Sequence, residues 1–211
     1  MDLVNSEEYK RVALALATPP RGDRHRSVLL SSPTAGEGTT SAAVFLGRHL
    51  VRDFGLRTVL VELNWARPAL AGLFNLDASR SVAATLSGRL PLRQCLQDDG
   101  AGLGLLPAGE FQELEDEQGW QAAFCAMIHE LRSDFDISLI DTPPVLESAD
   151  ALVAASAVPH MILVVSSGWA SRQAIARAVQ ELEQGNVQLI GTIFNERKRI
   201  LPGWLDRWLG Q

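Results

Sequence analysis

The feature that most constrains this chain is a repeated switch between two hydrophobic patterns. Six short apolar runs recur: SVLLSS from Ser27, TVLVEL from Thr58, LGLLPAG from Leu103, ISLIDT from Ile137, HMILVVSS from His160 and VQLIGTIFN from Val187. Continuous rather than alternating runs, rich in Val, Ile and Leu, predict strands covered on both faces. Between them lie stretches with helical spacing: Ser41 to Phe54, Gln121 to Leu131 and Arg172 to Leu182. Strand and helix in alternation predict an α/β fold, a mainly parallel sheet flanked by helices on both faces with right-handed crossovers. The 211 residues suffice for one domain with a substantial core.

Composition narrows the function classes. With 46% hydrophobic and 21% charged residues, disorder is excluded. No apolar run reaches the ~18 residues needed to cross a bilayer. The N-terminus MDLVNSEEYK lacks the basic and apolar regions of a secretory signal. Cys95 and Cys125 sit in unrelated contexts and read as small buried hydrophobes, which fits a reducing cytosol. His25, His49, His129 and His160 show no metal spacing. A net charge of -6 gives no global attraction to nucleic acid. The acidic EFQELEDE stretch from Glu110 reads as a solvated loop or helix start.

The first strand runs into SSPTAGEGTTSAA and then a helix. Such a turn is a natural anion site, because backbone N–H groups converge on it and the helix N-terminus adds partial positive charge. A working P-loop ends in Gly-Lys-Ser/Thr, its Lys on the terminal phosphates and its hydroxyl on magnesium. Here Gly36, Gly38 and Thr40 are in place, but Thr39 stands where Lys should be and Pro33 where the loop should open on Gly or Ala. Charge-assisted contacts to phosphate are about twice as strong as neutral hydrogen bonds, so the exchange should weaken phosphate binding by orders of magnitude. The plain structural reading of the loop is a strand-to-helix turn with Thr39 or Thr40 as N-cap.

Two further segments add to the loop. TVLVELNWARPAL is a second strand with its exit loop, and FDISLIDTPPVLESADAL is a strand ending in Asp-Thr-Pro-Pro. The order and spacing of the three resemble the bacterial tyrosine kinase (BY-kinase) family of capsule and exopolysaccharide synthesis, relatives of the MinD/ParA P-loop ATPases. The resemblance runs from SEEYKRVALAL through SVAATLSGRLPLRQCL and LLPAG to GTIFN. It implies a P-loop NTPase-like sheet in a single domain over 1–211, with a helical segment and linker over 1–25 and a basic, Trp-containing tail over 196–211. It also implies a nucleotide pocket formed by Gly36, Glu37, Gly38, Thr39, Thr40, Ser41 and Asn195. The loop lacks the early extra lysine of MinD/ParA proteins.

The chain departs from the family where the chemistry lies. The family P-loop reads Pro-Gly-Glu-Gly-Lys-Ser-Thr; this one reads Ala35-Gly36-Glu37-Gly38-Thr39-Thr40-Ser41. The family's Asp-x-Asp-x-Arg becomes Glu62, Asn64 and Ala66, with Arg67 and Pro68 following, and only Asp141 matches the Walker B aspartate. Hard divalent cations want charged oxygens, so Thr40 and Asp141 would hold Mg²⁺ weakly. The family's tyrosine-rich tail is missing; the single tyrosine is Tyr9. Its ring-forming Glu-x-x-Arg-x-x-Arg aligns with Glu7, Lys10 and Ala13, which leaves homo-oligomerisation open.

The resemblance therefore implies a degenerate member, with Glu62, Asn64 and Asp141 as catalytic vestiges and either no cofactor or weak ATP/ADP with Mg²⁺. Its implied role is a cytoplasmic subunit on the tail of a membrane polysaccharide co-polymerase, a Wzz-like chain-length regulator, without nucleic acid. The alternatives are an atypical kinase or ATPase acting on a partner, with Arg67 in place of the lysine, and a MinD/ParA-like positioning ATPase. In the tail, Trp204 and Trp208 at i, i+4 beside Leu205 and Leu209, after Arg197, Lys198 and Arg199, fit packing on protein or peripheral contact with the inner membrane.

Overall fold

The computed structural model describes residues 6–18, 26–110 and 117–195. The helix α1 (Ser6–Ala17) precedes β1 (Arg26–Ser31), the loop, α2 (Thr39–Phe54) and β2 (Thr58–Glu62). The short helices α3 (Leu70–Phe74), α4 (Val82–Leu86) and α5 (Leu92–Cys95) lead to β3 (Gln97–Asp98) and β4 (Leu103–Leu106). Then follow α6 (Glu117–Asp134), β5 (Ile137–Asp141), α7 (Asp150–Ala155), β6 (His160–Ser166), α8 (Arg172–Gln184) and β7 (Gln188–Asn195).

The seven strands form one sheet in the order β3-β4-β2-β5-β1-β6-β7. Every pairing is parallel except β3 with β4. All six apolar runs become strands. The antiparallel β3 was not expected, because two residues carry no readable period. β2, β4 and β5 are buried at every position, as continuous apolar runs require.

Side-chain alternation sends the strand residues into two cores. Val28, Leu30, Leu60 and Leu139 pack with Leu46 and Leu50 of α2 and Tyr9, Ala13 and Leu16 of α1. Leu29, Val61, Ile140 and Leu163 pack on the other face with Phe124 and Leu131 of α6, Ala154 of α7 and Leu182 of α8. Helices thus cover both faces. Ala13, in the position of the ring motif's last cation, is fully buried in the core under α1, while Glu7 and Lys10 are exposed.

One sequence reading is corrected here. Cys95 is buried but Cys125 is exposed. In α6 the inward positions belong to Phe124, Met127, Ile128 and Leu131, and Cys125 falls one residue out of that phase. Among the described residues no helix is long and apolar enough to cross a membrane. The tail carrying Trp204 and Trp208, His25, and 111–116 of the acidic stretch lie outside the described residues.

Candidate functional site

The carboxyl ends of β1, β2 and β5 converge beside the loop, the place where open α/β sheets bind ligands. β5 lies between β1 and β2, and Glu62 and Asp141 are register partners at the strand ends. The turn after β5 is stitched to the loop: the Thr142 N–H donates to the Leu30 carbonyl and the Val145 N–H to that of Ser32, both at 2.9 Å. Ser31 Oγ donates to the Pro143 carbonyl at 2.8 Å.

The loop is built by its glycines and by Glu37. Gly36 and Gly38 have φ of 85° and 81°, left-handed values that favour glycine. A side chain on Gly38 would collide with the Asn195 amide, and one on Gly36 would come within 2.9 Å of the Trp169 ring. Gly38 is itself the N-cap of α2, without a side-chain hydrogen bond. The expectation that Thr39 or Thr40 caps the helix is corrected: both are its first residues. Thr39 is half-buried and Ser41 exposed. No described hydrogen bond uses the N–H of Gly36, Gly38 or Thr39, so a group of backbone donors stays open at the helix start.

Glu37 is buried and braces the loop. Its Oε1 accepts from the Thr34 N–H at 3.0 Å and Thr34 Oγ1 at 2.9 Å, and its Oε2 accepts from the Ser166 N–H at 2.9 Å. Asn195 belongs to the same brace: its Nδ2 donates to the Glu37 carbonyl at 3.0 Å and its Oδ1 accepts from Tyr9 Oη at 3.3 Å. Both ends of the Asn195 amide are thus engaged with protein. The lone tyrosine is buried, tied to the loop through Asn195 and packed beside the Phe45 ring at 5.5 Å.

Glu62 is fully buried and structural. Its Oε1 accepts from the N–H groups of Ala69 at 2.6 Å and Leu70 at 3.1 Å, and its Oε2 from that of Ala108 at 3.1 Å. The carboxylate thereby caps α3 and ties the loop after β2 to the end of β4. Asn64 is half-buried and its carbonyl accepts from the Arg67 N–H at 3.3 Å.

Asp141 is equally buried but poorly satisfied. Its Oδ2 accepts from Thr40 Oγ1 at 2.6 Å, and its Oδ1 has no partner among the described residues. Burial, opposed by the Thr40 hydroxyl and reinforced by the Glu62 charge, pushes its pKa up to about 7. A magnesium ion bound through phosphate would find Thr40 and this open carboxylate oxygen, and those donors fit it. Glu62 is directed elsewhere, both of its oxygens being held by backbone amides. When bound, such an ion would supply positive charge to the phosphates. What the loop lacks is the side-chain cation at position 39.

Sequence reading missed two loop contacts. Glu147 Oε1 accepts from the Ala35 N–H at 2.7 Å, and its Oε2 lies 3.7 Å from Arg67 Nη2. Trp169 Nε1 donates to the Ala35 carbonyl at 2.7 Å. Glu147 does sit six residues after Asp141 in the recognised strand-exit segment, but nothing local marks it as a loop ligand.

No family model matches the chain. It is 24% identical to tyrosine-protein kinase YwqD of Bacillus subtilis over 196 residues, 92% of this chain and 82% of that protein. It is 27% identical to tyrosine-protein kinase CpsD of Streptococcus pneumoniae over 193 residues, 90% of this chain and 84% of the relative. The putative tyrosine-protein kinase EpsB of Ralstonia solanacearum is longer: a 26% identical match covers 88% of this chain but 24% of EpsB. In structure, the kinase domain of Escherichia coli tyrosine kinase ETK superposes with a TM-score of 0.83 at 19% identity, covering 93% of this chain and 77% of that one. Cobyrinic acid a,c-diamide synthase from Mycobacterium smegmatis, solved with an ATP analog and magnesium, gives a TM-score of 0.70 at 19% identity, over 88% of this chain and 81% of that one. The chain is a relative of the bacterial tyrosine-protein kinases, built on the P-loop NTPase fold.

Proposed function

We propose that this protein is a kinase-like subunit without kinase turnover, acting by binding rather than by phosphoryl transfer. Its partner in this reading is the cytoplasmic tail of a membrane polysaccharide co-polymerase, which it scaffolds or regulates. One observation carries the reading: a braced loop with open amides at the start of α2 has threonine at position 39, where phosphoryl transfer needs a fixed cation. Three supports accompany it. The carboxylate of Glu62 is committed to three backbone amides. The amide of Asn195 is committed to the loop and Tyr9. That sole tyrosine is buried, away from any acceptor role. Weak Mg²⁺-nucleotide binding through Thr40 and Asp141 is compatible with this function.

The test is affinity capture from native host membranes together with a radiolabelled-phosphate transfer assay on the captured proteins. The reading expects a polysaccharide-synthesis membrane protein in the captured set and no label on tyrosine. Label on a captured partner would favour the second reading, an atypical kinase or ATPase with residual activity. That alternative draws on the Thr40–Asp141 pair, which remains in place with one oxygen open. A MinD/ParA-like positioning role would require nucleotide-dependent dimers, which sedimentation with and without ATP would reveal.

A further inference from the structure

Ala35 lies within the loop, and both of its backbone polar groups are taken by side chains from distant turns. Its N–H is held by Glu147 from the turn after β5, and its carbonyl by Trp169 from the turn after β6. The second oxygen of Glu147 faces the Arg67 guanidinium from the loop after β2. A contact chain therefore runs from loop amide to carboxylate to guanidinium. A carboxylate that accepts from a loop amide and pairs with an arginine makes the two contacts that a phosphate oxygen would make.

We propose that Glu147 is an internal competitor for the cradle. Its carboxylate holds the amide and the cation that a pyrophosphate-bearing anion, such as a nucleoside di- or triphosphate, would use. Such an anion is admitted when Glu147 swings out, and Arg67 passes from the carboxylate to the phosphate. The exchange is open to Glu147 because its side chain is 42% exposed and that of Arg67 65% exposed. An exposed ion pair of this kind is weak and easily traded. Glu37 and Glu62 cannot do the same, being buried with both oxygens committed to protein donors. Trp169 grips the opposite side of Ala35 with no charge to exchange, so it steadies the loop without competing.

The inference rests on reading 32–41 as a phosphate cradle, and the test separates the two. Inorganic pyrophosphate is titrated calorimetrically into the full chain carrying Thr39→Lys, alone and combined with Glu147→Ala or Glu147→Gln, with circular dichroism to verify folding. The expected order is Glu147→Ala tightest, by ~10-fold over Thr39→Lys alone, with Glu147→Gln between them because it keeps an acceptor and loses the charge. Adding Arg67→Ala to the Glu147→Ala protein should remove part of that gain. Equal or weaker binding in both Glu147 variants overturns the competitor and leaves the cradle standing. Failure of Thr39→Lys itself to take pyrophosphate overturns both.

Discussion

Two buried carboxylates stand side by side at the strand ends, and they have opposite fates. Glu62 and Asp141 are register partners on β2 and β5, and neither is exposed to solvent. Glu62 receives three backbone N–H groups; Asp141 receives one hydroxyl and keeps an oxygen without a partner. The first is a tie between three segments of chain. The second is a buried acid whose pKa is pushed up to about 7. Burial alone does not decide what an acidic side chain does; the supply of nearby donors does. The extra methylene of Glu62, relative to the family's aspartate, lets one carboxylate reach amides on two different loops.

The comparison breaks most visibly at Glu62. Glu62→Ala strands two buried amides and one partly buried one and should destabilise the fold by about 3–5 kcal/mol in chemical denaturation, whereas an exposed catalytic vestige would cost almost nothing. Glu62→Asp should recover only part of the loss, because the shorter side chain falls about 1.5 Å short.

Asp141 gives the next effect, with the opposite sign. The unfolded pKa lies near 3.8 and the folded one at about 7. Between those values the folded protein keeps a proton that the unfolded chain has lost. Stability therefore falls as pH rises from about 4 to about 7, by up to about 1.4 kcal/mol per unit, and levels off above. Asp141→Asn should abolish that slope and be more stable than the parent at pH 8 by about 2–4 kcal/mol. Denaturant midpoints across pH 4–8 check it; parallel curves would refute the raised pKa.

Thr40→Val is the finest of the three. It removes the described partner of Asp141 for about 1 kcal/mol. Because the Thr40 hydroxyl lowers the Asp141 pKa, its loss should move the pH midpoint above the parent value. A midpoint displaced downward would mean the hydroxyl does not stabilise the charged form.

How much of this was legible in the sequence follows from distance along the chain. The six strands and three long helices are written in local periodicity, and so is the vacancy at Thr39, because a P-loop is a contiguous motif. The tie at Glu62 was not legible, since it depends on where the amides of Ala69, Leu70 and Ala108 arrive after two turns. The grips on Ala35 by Glu147 and Trp169 span 112 and 134 residues and leave no local mark. The bonds of Asn195 to Glu37 and Tyr9 were not legible, since one partner lies 186 residues away. Cys125 failed for a simpler reason, a helical phase off by one residue.

The central claim is that the cradle is formed but one cation short. Calorimetric titration of Mg²⁺-ATP into the parent and into Thr39→Lys tests it most directly. The account predicts parent binding far weaker than micromolar and a gain of ~30-fold or more from the lysine, the equivalent of about 2 kcal/mol. Parent binding tighter than about 1 μM, or a lysine variant no tighter than the parent, would contradict it.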